Sequence, residues 1–286
     1  MRIRVPFVFA ALSFAALSTT MTLGLLGYDA LPAIANVPQP TPQAPSTQGQ
    51  TQIAGRLGFR VRNVRPSRAR TPGISRGACT VNGTPIAMTP LVPRVNPRTE
   101  AQGLIEIEST VSPRPTFFVH LPQNQALGAE FTLTDDAQDE FDRQTLYYTT
   151  FSPSRQAGVI GITLPAEAPE LEVGKTYHWS LRLQCDPVDR SGDVLVEGWI
   201  QREALDTVLS RQIERTSVRN RPLLYARAGI WQDTVATLAQ LRLQNRDDLA
   251  VSADWLSLLN SVNLNAIAQE PILNITAYPA QTPPDL

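Results

Sequence analysis

The sequence predicts an α+β fold in which an antiparallel β-sandwich is followed by a pair of amphipathic helices. Between residues 116 and 202, short runs rich in β-branched and aromatic residues alternate with turns containing Pro, Gly or Asp. After Arg202 the apolar residues recur at every third or fourth position, which is typical of helices that bury one side. These patterns place the sandwich at 79–202 and the helical part of the same domain at 203–270.

The run at 176–185 is the clearest predicted strand, because its odd-numbered residues are apolar and its even-numbered residues are polar. The polar residues are Thr176, His178, Ser180, Arg182 and Gln184. This alternation directs one face to the core and the other to solvent or a ligand. The other predicted strands lie at 116–121, 129–134, 145–151, 159–164 and 193–202. This spacing is typical of an antiparallel sandwich or barrel, and we predict an immunoglobulin-like sandwich.

Two helices are predicted from apolar residues at helical spacing. They carry Trp231, Val235, Leu238 and Leu241 in the first and Trp255, Leu258, Leu259 and Val262 in the second. Ser252 is the predicted N-cap of the second helix. Residues 271–286 contain four prolines, from which we predict a flexible tail.

The N-terminus has the features of a signal peptide. Arg2 and Arg4 precede an uncharged apolar stretch at 5–26, and Ala33-Ile34-Ala35 supplies small residues at a cleavage site. We therefore predict a signal peptide at 1–35 that is cleaved after Ala35, with export to the periplasm or beyond. The alternative is that the stretch is retained as a membrane anchor, since it is long enough to span a bilayer.

Residues 36–78 are predicted to be a disordered linker, Pro-rich at first and then Arg-rich, with folding beginning near Cys79. The arginines at 53–77 suit a tether to an anionic surface or a solvated arm with no fixed partner. The net charge of −1 argues against a nucleic-acid partner. Cys79 and Cys185 are either a disulfide, as expected of an exported pair, or two buried thiols.

The candidate binding residues follow from the polar strand face and the acidic turn after it. They are His178, Ser180, Arg182, Asp186, Asp189 and Asp193. His120 and His178 are the histidines of the chain, and His178 with Ser180 two residues on offers an alternative hydrolase site. We assign no catalytic residue and expect no enzymatic activity.

Calcium is the cofactor that the acidic turns could hold, because carboxylates in exported β-domains often bind it. The first turn carries Asp135, Asp136, Asp139, Glu140 and Asp142, and the second carries Asp186, Asp189 and Asp193. Neither matches the EF-hand loop, and Asp also favours turns in its own right. We otherwise expect no cofactor and no metal. The aromatic residues Tyr147, Tyr148, Trp199 and Trp231 could form a ligand platform or pack in the core.

Several motifs resemble one known family. They are Leu91-Val92-Pro93, the segments 115–122, 174–179, 185–191 and 196–202, and the helical segments around Tyr225, Trp231 and Trp255. Over about residues 79–270 the chain resembles a domain of unknown function, DUF928, known mainly from cyanobacteria. The resemblance implies an exported protein of the cell envelope, and it carries no activity, ligand or catalytic residue with it.

Together these observations favour a non-enzymatic exported protein of the cell envelope that binds an envelope protein or polymer. The alternative is an envelope hydrolase that uses His178. We expect contact with a membrane only through a signal segment that remains uncleaved.

Overall fold

A computed structural model of the chain describes residues 57–60, 64–66, 79–81, 83–93, 104–136 and 143–284. The predicted signal peptide, its cleavage site after Ala35 and most of the predicted linker lie outside the described residues. Asp139, Glu140 and Asp142 of the first acidic turn also lie outside them. No helix in the described part of the chain is long and apolar enough to cross a membrane.

The described residues form a mixed α+β fold with two large sheets and four α-helices. The strands are β1 (Val64–Pro66), β2 (Thr80–Val81), β3 (Thr84–Pro85), β4 (Thr89–Pro90), β5 (Leu104–Glu106), β6 (Glu108–Thr110), β7 (Thr116–Leu121), β8 (Gly128–Asp135), β9 (Thr145–Phe151), β10 (Gly158–Thr163), β11 (Thr176–Gln184), β12 (Val194–Arg202) and β13 (Ile272–Ala277). The helices are α1 (Thr207–Arg215), α2 (Arg221–Ala228), α3 (Trp231–Gln244) and α4 (Leu249–Ser261).

The strand order is β6-β12-β11-β8-β9 in the five-stranded sheet and β13-β10-β7-β4 in the four-stranded sheet. Their facing sides share one core, in which Phe117 of β7 lies 5.0 Å from Phe131 and 5.5 Å from Trp179 between ring centroids. The apolar residues of the alternating strand 176–185 supply much of this core, as its period of two predicts.

A second core lies on the other side of the four-stranded sheet. Phe118 of β7 and Val159 of β10 pack there with Trp231 of α3 and Trp255 of α4. Phe117 and Phe118 point to opposite sides of the same strand, so β7 is buried on both faces. The described residues of the unit 51–286 therefore form three layers, two of sheet and one of helix.

The immunoglobulin-like arrangement is not confirmed. Strand β13 pairs with β10, and β6 pairs with β12, in parallel rather than antiparallel orientation. Helices α3 and α4 match the predicted pair, but α1 and α2 precede them. The second helix of the predicted pair begins earlier than expected, because Asp248 rather than Ser252 accepts hydrogen bonds from the first N–H groups.

The predicted flexible tail is wrong for residues 272–277, which form β13 beside β10. Beyond this strand, the N–H of Gln281 donates to the carbonyl of Tyr148 at 2.8 Å, and Tyr278 stacks on Phe151 with ring centroids 4.3 Å apart. The prolines at 271 and 279 flank the strand rather than interrupt it, so they leave its hydrogen bonds to β10 intact.

The predicted linker is also ordered in part. Phe59 packs edge-on against Trp231 with ring centroids 4.8 Å apart, and its N–H donates to the hydroxyl of Ser261 at 2.8 Å. Leu57 is buried in the same core, and β1 pairs with β5. The folded part of the chain therefore starts before Cys79, because Leu57 and Phe59 of the Arg-rich segment pack in the helical core.

Candidate functional site

The solvent side of the five-stranded sheet, here called the outer face, carries the polar residues of β11 and their neighbours. Within the described residues, the helices pack on the four-stranded sheet and on β6, at the edge of the five-stranded sheet. Ser180, Arg182 and Gln184 are half-buried on the outer face, whereas Thr150 and Leu195 are exposed. The strand alternation thus correctly predicted which side chains share this face.

His178 lies on the outer face but is buried, with 7% of its surface exposed. Its Nε2 is 2.9 Å from Oε2 of Glu197, and its ring centroid is 4.9 Å from that of Trp199, both on β12. Its Nδ1 is 3.5 Å from Nη1 of Arg143. Neighbouring strands therefore enclose the imidazole, although the alternation alone places it on the face that meets solvent or a ligand.

The contacts of His178 do not form a hydrolase triad. Such a triad needs a carboxylate on one ring nitrogen and a nucleophile on the other. Here Glu197 and Arg143 occupy the two nitrogens, and no described serine donates to or accepts from either. Ser180 lies opposite Glu197 in the strand register, two residues along from the histidine.

His120 is on the other sheet, facing the helices, and so does not meet His178. Its Nε2 is 3.8 Å from Oε2 of Glu270. Burial lowers the pKa of His120, although the carboxylate of Glu270 opposes this shift. The neutral imidazole is therefore part of the packing between sheet and helices.

The acidic residues of the second turn bind their own backbone. One carboxylate oxygen of Asp186 accepts from the N–H groups of Val188 and Asp189, each at 2.8 Å, and Asp189 accepts from Ser191 at 2.9 Å. The N–H groups of Asp189 and Val188 hold the pKa of Asp186 below its ordinary value. Ser191 lowers the pKa of Asp189 through its side chain and its N–H group. These two carboxylates thus shape the turn.

Asp193 connects the same turn to the outer face. It accepts from the N–H of Cys185 at 3.2 Å and from Nε of Arg190 at 2.5 Å. Nη2 of Arg190 forms an ion pair with Oε2 of Glu130 on β8, at 2.9 Å. These two carboxylates, Glu130 first, raise the pKa of Arg190. Within the described ranges, no three His, Cys, Asp or Glu side chains converge in a way that suits a metal ion.

A disulfide joins Cys79 to Cys185 at the start of this turn, as predicted, with Cα atoms 5.3 Å apart. It closes a loop with a sequence separation of 106 residues. The bond therefore attaches the beginning of the described sandwich to the end of β11.

A family model for a domain of unknown function, DUF928, matches residues 71–272, which is more than half of the chain. The chain belongs to the DUF928 family. No curated protein and no solved structure matches it. The DUF928 match spans β2 to β12 and all of α1–α4, so it contains the outer face, the second acidic turn and the disulfide.

The DUF928 domain also has an open groove of about 420 Å³ at one end of the outer face. Its walls include Gly128 and Glu130 of β8, Thr150 of β9 and Gln184 of β11. The groove lies beside the Arg190–Glu130 ion pair, because Glu130 contributes to both. Sequence reasoning missed it, since its walls come from three separate strands.

The aromatic platform is not formed as the sequence allowed. Tyr147 and Trp231 lie in the two cores, and only Tyr148 and Trp199 lie on the outer face. Both of these are buried, with 8% and 5% exposed. The indole N–H of Trp199 donates to Asp136 at 3.1 Å, so a contact within the protein positions this ring.

Two carboxylates that the sequence analysis missed lie where β6 meets α3, one buried (Glu108) and one half-buried (Asp233). Glu108 accepts from the indole of Trp179 at 2.9 Å and from the side-chain amide of Gln232. Asp233 accepts from the hydroxyl of Thr110 at 2.8 Å and from the N–H of Val111 at 3.1 Å. Burial raises the pKa of Asp233. Both carboxylates accept hydrogen bonds from neighbouring groups, which suits a structural connection between sheet and helix.

Proposed function

We propose that this DUF928 protein is an exported, non-enzymatic binding protein of the cell envelope, and that its outer face and the adjoining groove recognise an envelope protein or polymer. The observation that carries the proposal is the way the polar groups of this face are held. Glu130 is fixed by Arg190, and Glu197 by His178. Polar groups that are already positioned lose less conformational freedom when a partner binds.

The groove supports the same proposal. It places a carboxylate, a hydroxyl and an amide, from Glu130, Thr150 and Gln184, around one open space. This mixture suits a polar, hydrogen-bonding ligand. A hydrolase based on His178 is not favoured, because Glu197 and Arg143 already occupy both ring nitrogens.

Export is supported by the signal-peptide features and by the disulfide, since disulfides persist in oxidising compartments. The resemblance to a mainly cyanobacterial family favours the envelope of such a cell. We expect the intact mass of the exported protein to begin at Asn36 and to lack two hydrogens. A full-length mass, or a mass with two free thiols, would contradict export by this route.

Binding is tested by co-sedimentation with cell-envelope fragments from the source organism. The test variant is Leu195→Arg, which changes an exposed residue of the outer face beside Arg182. The matched control is Leu249→Arg, an exposed leucine at the start of α4. We expect about tenfold weaker retention for Leu195→Arg, the effect of losing about 1.4 kcal/mol at an interface, and unchanged retention for the control.

Equal retention of both variants, or no retention of the unmodified protein, would contradict the proposal. Prior protease treatment of the fragments separates the two kinds of partner. Loss of retention after that treatment identifies a protein, and unchanged retention identifies a polymer.

A further inference from the structure

The segment from Leu205 to Val218 combines exposed apolar side chains with arginines. Eight large hydrophobic residues of the described chain are exposed, and three of them lie in this segment. They are Leu205 at 36%, Val208 at 60% and Val218 at 51% exposed. Exposed apolar residues mark a contact surface when they lie close together, whereas single ones are common on any protein.

Helix α1 lies at the centre of the segment and has two distinct sides. Ile213 is buried and Leu209 is half-buried, and their spacing of four residues places them together against the protein. Val208, Arg211 and Arg215 follow at i, i+3 and i+7, so they share the opposite side, and all three are exposed. We call these three residues the basic face of α1.

The positive charge of the basic face is not neutralised within the described residues. Neither Arg211 nor Arg215 forms an ion pair there, whereas the nearby Arg219 is paired with Asp254 at 2.9 Å. Glu214 accepts instead from the hydroxyl of Ser210 on its own helix. Residues 202–227 carry six arginines and three acidic residues, although the whole chain has a net charge of −1.

We propose that the basic face of α1 docks on a membrane surface that contains anionic lipids. Arg211 and Arg215 would bind headgroup phosphates, which a guanidinium contacts with two parallel hydrogen bonds. Val208, with Leu205 and Val218 nearby in sequence, would enter the interfacial layer. A soluble anionic polymer would use the arginines but gain nothing from exposed valines, so the apolar residues favour a lipid surface.

This inference goes beyond the proposed function, because residues outside the outer face carry it. It also departs from the expectation that an uncleaved signal segment is the route to a membrane. The two proposals fail separately, since Leu195→Arg tests one and substitutions in α1 test the other.

The test is co-sedimentation of the exported protein with vesicles of phosphatidylcholine containing 30% phosphatidylglycerol, in about 0.1 M salt, where charges are screened within about 10 Å. The test variant is Arg211→Gln/Arg215→Gln. The control is Arg155→Gln/Arg246→Gln, which removes the same charge from two other exposed arginines. One arginine at an anionic surface changes binding about fivefold, so we expect about 25-fold weaker binding for the test variant. We expect less than a twofold change for the control.

A third variant, Val208→Gln, separates lipid from polymer. We expect it to weaken vesicle binding while leaving any binding to soluble dextran sulfate unchanged. Equal losses in the two arginine variants would overturn the proposal, because net charge or the Arg-rich segment at 53–77 would then account for binding. Equal binding to pure phosphatidylcholine, no binding at all, or no effect of Val208→Gln would also overturn it.

Discussion

The indole N–H of Trp179 reaches across strand β12 to donate to the buried carboxylate of Glu108, at 2.9 Å. Gly198 lies opposite Trp179 on the intervening strand. A Cβ atom at 198 would lie 2.7 Å from Nε1 of Trp179 and 2.7 Å from Oε1 of Glu108. The missing side chain therefore makes room for a hydrogen bond between a central strand and the edge of its sheet.

Gly198→Ala should destabilise the protein by about 2–4 kcal/mol, because the new methyl group displaces the indole and leaves buried polar groups without a partner. Gly128→Ala is the control, since a Cβ there meets only Gln184, at 3.4 Å. We expect Gly128→Ala to change the free energy of unfolding by less than about 0.5 kcal/mol. Chemical denaturation measures both variants, and equal free energies of unfolding would disprove this role of Gly198.

Phe59→Ala should lower the free energy of unfolding by about 3 kcal/mol, because it removes a buried ring packed against Trp231. Arg60→Ala, at the exposed neighbouring position, should change it by less than about 0.5 kcal/mol. Thermal or urea unfolding separates these outcomes. If Phe59→Ala is as stable as Arg60→Ala, the Arg-rich segment does not contribute to the core.

Asp233→Asn should be more stable than the unmodified protein at pH 7, because burial raises the pKa of Asp233 in the folded state. The folded protein then binds the proton of Asp233 more tightly than the unfolded chain does. The stability that this proton contributes is lost as the pH rises through the folded pKa. The advantage of Asn should therefore shrink as the pH falls towards about 4, the ordinary pKa of Asp.

Asp233→Ala is the control for this pH dependence, because Ala cannot accept the hydrogen bonds from Thr110 and Val111. We expect it to cost about 1–3 kcal/mol relative to Asp233→Asn at every pH. Unfolding free energies measured from pH 4 to 8 provide the comparison. A constant difference between Asn and Asp over that range would mean that the pKa is not raised.

Removal of residues 278–286 should destabilise the fold by about 2–3 kcal/mol. Tyr147 and Thr149 would lose the carbonyl groups of Tyr278 and Pro279 as acceptors, at 2.8 and 2.9 Å. The edge of β9 would also be exposed to pairing with other chains. Removal of 282–286 alone leaves these contacts and should have no effect. Unfolding curves and size-exclusion chromatography check both truncations, and identical behaviour would show that the contacts contribute nothing.

The strands that could be predicted are those in which apolar and polar residues alternate over enough positions to be recognised. Strand β11 is one, and its polar side chains share a face as expected. Helices α1 and α2 were missed because arginines stand among their apolar residues, so that no clear apolar pattern of helical spacing appears. Strand β13 was missed because prolines near its ends resemble the composition of a loose tail.

The candidate site was predictable only in part. His178, Ser180 and Arg182 were correctly placed on one face, but the burial of His178 depends on Trp199 and Glu197 of the next strand. That neighbourhood is set by strand register, which no local pattern specifies. The groove and the hydrogen bond between Trp179 and Glu108 were missed because they too depend on which strands are neighbours.

The alternation of side chains along the strands, the helical spacing of α3 and α4, and the presence of two cysteines able to pair can all be read from the sequence. These are local properties, since side-chain direction follows from the backbone period. Which sheet face the helices cover, which histidine is enclosed and which carboxylates are buried follow from the packing of the layers. Burial and hydrogen bonding depend on residues that are distant in the chain and are brought together by strand order and layer packing.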